Sequence, residues 1–367
     1  MYLHEAPIDE KPICLQANCK EAGAYDCVDC DAPGYWCREC LIEDHQYLPF
    51  HRINAWDGNS LRHVNLKELG MTVSFGHELG LCPHMATEGG PQDITILDVT
   101  GIHSVRMAWC RCAAAPTQAE QLFERKWFPA TLQRPRTAIS FRVLKLFHLL
   151  NHVARTNPWD FAGTMHRLTD NVCPTSVTDI YKPFKHVQRQ WRVVRAWKRG
   201  GVRDPALPRL NGSLAMWCVS CPIPGVNLDP GWQQHPDSDL IHTVFIGVDG
   251  NFRLRRHNKG GGEKADPSLF GNDAYYAPHP DYKMFCRVRG GAPDDMADMT
   301  CRMVKAGEPQ RRTVNANRPT NGNLSNSCVR SGAFAPKGTV DIILGERYGV
   351  IFVLLRERLI GRQFCQC

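Results

Sequence analysis

Residues 14–51 read CLQANCKEAGAYDCVDCDAPGYWCRECLIEDHQYLPFH, and this stretch decides how the rest of the chain is read. It presents metal-type donors in pairs: Cys14-x4-Cys19, Cys27-x2-Cys30, Cys37-x2-Cys40 and His45-x5-His51. Both members of a pair are close enough along the chain to reach one ion, and thiolates with imidazoles are the donors of four-coordinate Zn²⁺. Eight donors complete two tetrahedral sites and leave no open position on either ion. Both sites are therefore expected to be structural rather than hydrolytic. The stretch holds too few aliphatic residues to fold by burial alone, so metal binding would supply most of its folding free energy. A disulfide framework is the competing reading, and it is the weaker one, because two His at finger-like spacing behind the last Cys are foreign to such frameworks.

The pairs can be shared in two ways. Serial pairing joins neighbours. Alternation, the arrangement of RING and B-box modules, gives one ion to Cys14, Cys19, Cys37 and Cys40 and the other to Cys27, Cys30, His45 and His51. The two terminal His resemble a B-box more than a RING.

The whole chain has 367 residues, 43% of them hydrophobic and 22% charged, an ordinary composition for a soluble protein of two or three domains. Its formal net charge of +7 allows nucleic-acid contact without requiring it. The first residues, MYLHEAPIDE, lack a secretory pattern, and no apolar run approaches the roughly 20 residues needed to span a bilayer. With 17 Cys, the chain suits a reducing compartment, so an intracellular, nuclear location without a membrane partner is expected.

Downstream, little regular pattern is evident up to about Gly90. A hairpin is expected where Ile94, Ile96 and Asp98 alternate, Thr100-Gly101 turns and Ile102 to Trp109 returns. That return ends in Cys110-Arg-Cys112, and a short strand expected at Leu214 to Trp217 ends in Cys218-x2-Cys221. These two pairs could close a third zinc site, against the simpler reading of buried thiols. Helical periodicity runs through Ala119 to Trp127, through Ile139 to Val153 behind Thr137 as N-cap, and through Phe161 to Leu168. A fourth helix repeats Tyr181, Phe184, Val187, Trp191, Val194 and Trp197 on one face. Its other faces carry Lys182, Lys185, Arg189, Arg192, Arg195, Lys198 and Arg199, with no acidic residue among them. Such a stripe suits phosphates, although charge runs are often only solvated. Beyond a Gly- and Pro-rich connection, Thr243 to Val248 reads as a strand, Asp249-Gly250-Asn251 as a turn and Phe252 to Arg256 as the return. A short Met296, Met299, Met303 stripe and an apolar Val350 to Leu359 segment follow, before Cys365-x-Cys367.

On CVDC-DAPGYWCREC-LIEDHQYLPFHRINAW, GIHSVRMAWCRC, KWFPATLQRPRTAISF, HRLTDNV, YKPFKHVQRQWRVVRAWKRGG, LAMWCVSCPIPGVNL and FIGVDGNFRLRR, the chain resembles the cysteine-cluster region of KDZ (Kyakuja-Dileera-Zisupton) transposases. Weaker similarity continues through TVNANRPTNGNLSNSCVRSGAFAPKGTVDIILGERYG. The resemblance implies a zinc-chelating module joined to a DDE-type transposase of RNase H-like fold, in which acidic side chains hold two Mg²⁺ ions for phosphodiester transfer. It places the first acid at Asp249 and expects another near Phe352, where this chain carries Gly349-Val-Ile-Phe-Val353. One carboxylate cannot hold two Mg²⁺ ions, so no transposase activity is expected from a chain that reads as truncated.

The expected class is α+β in three parts. A small zinc-stabilised B-box/RING-like module covers 1–57. A mixed helical and β cysteine-cluster region with the basic helix covers 58–236, and an incomplete RNase H-like α/β segment covers 237–367. The expected function is a non-catalytic, zinc-binding, DNA-associated module holding two or three Zn²⁺. DNA, a protein partner or a full-length transposase are the expected partners, and a B-box-like protein-interaction module is the rival.

Overall fold

The computed structural model describes residues 7, 12–77, 81–84, 90–204, 206–207, 212–251, 254, 268–271, 273–277, 282, 284, 320 and 322–342. It forms two compact units, Met1–Arg192 and Val193–Cys367. The architecture is mixed α and β, with three separate sheets.

The first unit begins with β1 (Tyr25–Cys27), α1 (Arg38–Asp44), β2 (Ile53–Trp56) and β3 (Leu61–Val64), its strands forming an antiparallel sheet in that order. Next come β4 (Val73–Ser74), β5 (Gln92–Asp98), β6 (Gly101–Ala108), α2 (Gln118–Glu124), β7 (Trp127–Pro129) and β8 (Thr137–Ser140). They build a five-stranded sheet ordered β4-β6-β5-β8-β7. The β5–β6 hairpin pairs Gln92 with Met107 and closes at Asp98 and Gly101. Gly101 sits at φ 139°, and a Cβ there would come within 2.9 Å of Thr169 Oγ1, which already accepts the Ile102 N–H at 2.8 Å. Only glycine takes that turn without strain.

The central strands are buried on both faces, with the consecutive Ile96, Leu97 and Asp98 of β5 and Ala138, Ile139 and Ser140 of β8 all buried. Ile96, Leu97, Met107 and Ile139 are wholly buried, and Trp109 stacks on Phe75 with centroids 5.2 Å apart. The core is continuous with the cysteine-rich head: Leu41, Phe50 and Ile53 belong to the same apolar cluster as Ile94, Met107 and Trp127. Phe50 packs on Trp127 at 5.0 Å. Behind the sheet stand α3 (Phe141–Val153), α4 (Pro158–Thr169) and the start of α5 (Tyr181–Arg199), joined through the rings of Phe147, Phe161 and Phe184 at 4.8 to 5.2 Å. Asn157 caps α4 by accepting from Trp159 and Asp160 N–H, and Thr117 closes a capping box with Glu120 on α2.

The second unit holds a 3₁₀ turn at Trp232–Gln234, the short α6 (Ser238–Ile241) and an antiparallel sheet ordered β11-β10-β9. Its strands are β9 (Ile246–Asn251), β10 (Gly322–Cys328) and β11 (Phe334–Ile342). β10 alternates buried and half-buried residues, with an irregularity between Ser325 and Ser327 where it pairs β11. No helix among the described residues is long and apolar enough to cross a membrane.

Several expectations are corrected. Thr137 does not cap α3: Thr137–Ser140 is a strand paired in parallel with β5, and Ser140 accepts the Val143 N–H as the cap. The helix at Ala119 stops before Trp127, because Lys126 turns to φ 61° and Trp127 opens β7. Asp249-Gly250-Asn251 does not turn but stays in β9, paired with Ser325, Leu324 and Asn323. Leu214 to Trp217 is not a strand; it buries Leu214 and Ala215 side by side and exposes Met216 and Trp217, without alternation. The segment before Gly90 holds β2, β3 and β4, strands too short to impose a pattern on the sequence. Most of the expected return strand after Asn251, the Met296, Met299, Met303 stripe, Phe352 and Cys365-x-Cys367 lie outside the described residues.

Candidate metal centres

The head brings its ligands together in alternation. Cys14, Cys19, Cys37 and Cys40 form one group and Cys27, Cys30, His45 and His51 another, with all ligand atoms of a group within 4.8 Å of one another. Helix α1 does the bracing, since its N-terminal Cys37 and Cys40 serve the first group and His45 at its C-terminus serves the second. Cys37 is also the N-cap and accepts the Cys40 N–H at 3.5 Å, while Cys14 Sγ accepts the Cys37 N–H at 3.3 Å. Against the opposing effect of burial, the Cys37 N–H helps hold the Cys14 thiol below its usual pKa.

The distances decide between metal and disulfide. A tetrahedral ion with Zn–S about 2.3 Å and Zn–N about 2.0–2.1 Å needs ligand edges of about 3.8 Å between sulfurs and about 3.5 Å between sulfur and nitrogen. Cys19 and Cys37 sulfurs stand 3.9 Å apart. His51 Nδ1 lies 3.4 Å from Cys27 Sγ and 3.3 Å from Cys30 Sγ, and His45 Nε2 lies 3.6 Å from Cys30 Sγ. A disulfide would need about 2.05 Å. The residues therefore fit an ion of the zinc type.

The surrounding residues orient the imidazoles. His45 is 1% exposed, and its Nδ1–H donates to the Leu41 carbonyl at 2.9 Å, which turns Nε2 toward the sulfurs. Burial lowers the pKa of both His45 and His51, keeping them neutral as a ligand must be. Asp29, between Cys27 and Cys30, receives the Arg52 backbone N–H at 2.7 Å and its guanidinium at 2.6 Å, tying the loop to the start of β2. Without a cation, burial pushes the Cys27 thiol up to about 12, and its neighbours and burial raise Cys40. Crowded thiolates repel one another, and a dication removes that cost.

Cys110 and Cys112 find their fellow ligands within the first unit, and Cys218 and Cys221 find theirs within the second. The first pair gathers with His77 and Cys82 in a group of its own. The cause is topological: β4 pairs in parallel with β6, Val73 beside Met107 and Ser74 beside Ala108, so the chain leaving β4 runs along the loop leaving β6. His77 Nε2 lies 3.4 Å from Cys110 Sγ and 3.5 Å from Cys112 Sγ, and Cys82 and Cys112 sulfurs are 3.9 Å apart. These again are tetrahedral edges. Buried Gln121 holds the Cys110 backbone from both sides, accepting its N–H and donating to its carbonyl, each at 3.0 Å. The Arg111 N–H brings the Cys82 thiol down to about 6, whereas burial and its two neighbouring thiols push Cys112 up to about 11. Sequence reading missed His77 and Cys82, although His77-x4-Cys82 repeats the interval of Cys14-x4-Cys19.

All four ligands of this third centre fall in one cysteine-rich segment. Residues 66–173 match the family model of the CxC2 like cysteine cluster associated with KDZ transposases. No curated protein and no solved structure matches the chain. The CxC2-like segment thus carries a complete four-donor group, and the head's eight ligands precede it.

The other expected site residues are placed as follows. Cys218 and Cys221 lie in the second unit, beside Cys328. Asp249 is exposed on β9, where its Oδ1 accepts the Gly250 N–H at 2.8 Å, and no candidate metal group among the described residues includes it. On α5, Lys182, Lys185, Arg195, Lys198 and Arg199 are exposed and Arg189 is half-buried. Arg192 departs from the expected stripe: its guanidinium donates to Asn151 Oδ1 at 2.7 Å, and burial lowers its pKa. Half-buried, it ties the helix to Asn151 of α3.

Proposed function

We propose that the chain is a non-catalytic, zinc-stabilised, DNA-associated module derived from a KDZ transposase. The observation that carries this reading is the CxC2-like match over a segment whose His77, Cys82, Cys110 and Cys112 stand at tetrahedral zinc edges. The eight head ligands supply two further structural ions, in the cross-braced manner of B-box and RING modules. No ion has an open position among these twelve donors, so their chemistry is architectural.

DNA is the partner that the charge favours. Helix α5 presents Lys182, Lys185, Arg195, Lys198 and Arg199 along 19 residues without a carboxylate. Phosphate contacts by such a stripe release counterions, so affinity falls steeply with salt. The reading of the second unit as an incomplete RNase H-like segment rests on the resemblance of its sequence, which makes Asp249, on β9, the first acid. A lone carboxylate gives no two-Mg²⁺ site. A nuclear location follows from the DNA reading.

The test is binding of the full, zinc-loaded chain to a DNA duplex over a salt series. Replacing Lys185, Lys198 and Arg199 with Ala should lower the slope of log K against log salt by roughly 0.9 per lost contact. An unchanged slope removes α5 as the contact, and Mg²⁺-dependent strand cleavage by the purified chain removes the non-catalytic reading. A B-box-like protein-interaction module is favoured by one observation: the head exposes Ile13 at 71%, Tyr47 at 70% and Val28 at 50%. Absence of salt-sensitive DNA binding, with a protein partner lost on Ile13→Asp and Tyr47→Asp, would select that reading.

A further inference from the structure

Outside the CxC2-like segment, three more thiols converge in the second unit. Cys218 and Cys221 flank a tight turn closed by the Cys221 N–H on the Cys218 carbonyl at 3.3 Å. Cys328 ends β10 opposite Ile246 of β9. The three are 6%, 4% and 1% exposed, their sulfurs lie within 4.8 Å of one another, and no disulfide joins them.

Apolar packing does not account for this arrangement. Among the described residues, half-buried Val244 and Ala333 are the partly buried hydrophobic residues that pack against the three cysteines. Meanwhile the same loop exposes Val219 at 88%, Trp217 at 61% and Met216 at 56%. Burial would select the larger apolar side chains and leave the thiols outside, since each buried Val or Met side chain is worth about 1.5–3 kcal/mol. The loop does the reverse. Three buried sulfurs within 4.8 Å of one another are a donor set for a cation, which would stabilise them as thiolates.

We propose that Cys218, Cys221 and Cys328 bind a further zinc-type ion through three thiolates, with an oxygen in the fourth position. We assign that oxygen to Ser331: it sits in the turn after β10, and its Oγ is hydrogen-bonded to Cys218 Sγ at 3.0 Å, a contact that would lengthen to roughly 3.5 Å when both bind one ion. Loading the ion releases the thiol protons, so occupancy rises with pH. The ion clips the 216–227 loop to the end of the β9–β10 ribbon, three residue pairs from Asp249 along β9. That separation is about 10 Å at the usual strand rise.

The four candidate groups differ in donor set, which makes them separable in one experiment. The full, reduced chain is stripped of metal and loaded with ¹¹³Cd²⁺ as a zinc stand-in, and its cadmium resonances and bound equivalents are measured. The expected spectrum has four resonances, from four-sulfur, two-sulfur two-nitrogen, three-sulfur one-nitrogen and three-sulfur one-oxygen shells. Cys328→Ser should lower the count by one equivalent and remove the last resonance alone. The milder variant Ser331→Ala, at an exposed turn, should retain all four equivalents and move only that resonance. Binding of three equivalents by the unaltered chain, or an unchanged count in Cys328→Ser, overturns the site. A resonance unmoved by Ser331→Ala overturns the assignment of its oxygen.

Discussion

His103 is a half-buried imidazole at the seam between head and sheet, with its ring 5.5 Å from Phe50. The Thr100 hydroxyl donates to the Phe50 carbonyl at 2.7 Å, leaving its lone pair to accept from His103 Nε2 at 2.9 Å. Burial lowers the His103 pKa to about 4, against the opposing pull of Asp98 and Asp29 and with the help of His63 and Arg52. The folded value lies below the ordinary value near 6.5, so the unfolded chain takes up a proton first as pH falls. The contribution to stability is complete above about pH 6.5 and is lost as pH drops toward about 4, a change on the order of 1–3 kcal/mol. An NMR titration of the His103 ring should find its midpoint near pH 4; a midpoint at or above about 6.5 would contradict the buried placement. A second residue-scale prediction concerns Cys82, which is 4% exposed. Cys82→Ser should remove one zinc equivalent, measured by elemental mass spectrometry, because it deletes one of four donors. No change in zinc would break the third centre. The head's ligands were legible because each had its partner within five intervening residues. Cys328 was not, because its partners Cys218 and Cys221 lie more than a hundred residues away in sequence. Cys82 had His77 at a short interval, but that this pair joins Cys110 and Cys112 follows from the β4–β6 pairing, of which spacing carries no record.

Helix α5 makes the corresponding point at the scale of elements. Its extent over 181–199 was readable from the apolar repeat, and Phe184, Val187 and Trp191 are buried as that repeat requires. The basic stripe was less readable, because charge pattern does not say which guanidinium finds an internal acceptor. Arg192 does so at Asn151, whose own Nδ2 donates to the Thr156 carbonyl at 2.8 Å and fixes the exit of α3. Arg192→Ala should therefore cost about 1–3 kcal/mol of stability, as expected for a lost hydrogen bond from a charged group, without changing the salt dependence of DNA binding. Lys185→Ala should behave oppositely, with stability within about 0.5 kcal/mol of the parent and a shallower salt slope. Urea denaturation and DNA titration on both variants separate these outcomes. Loss of salt slope in Arg192→Ala would return it to the interface. The start of α3 shows the same limit of sequence: Thr137 and Ser140 are both competent caps, and the parallel pairing of Thr137–Ser140 with β5 makes the choice.

At the scale of the molecule, the question is whether the zinc head and the five-stranded sheet unfold apart or together. The sequence presented them as separate modules, since ligand spacing and strand alternation are different signals with a patternless stretch between. The structure joins them through one core, in which Leu41 and Ile53 of the head are as fully buried as Ile96 and Met107 of the sheet. A domain's net stability is about 5–15 kcal/mol, and a structural zinc in a small peptide contributes an apparent 10–16 kcal/mol at pH 7. Losing the head's ions therefore removes at least as much free energy as the shared core has in reserve. The double variant Cys27→Ser and Cys40→Ser deletes one ligand from each head site and leaves the CxC2-like centre its donors. Hydrogen exchange on this variant should show lost protection in β1 and β2, as any reading would have it, and also in β5 and β6 between Gln92 and Ala108. If β5 and β6 keep their protection while the head exchanges freely, the head is an independent zinc module and the continuous core does not couple them.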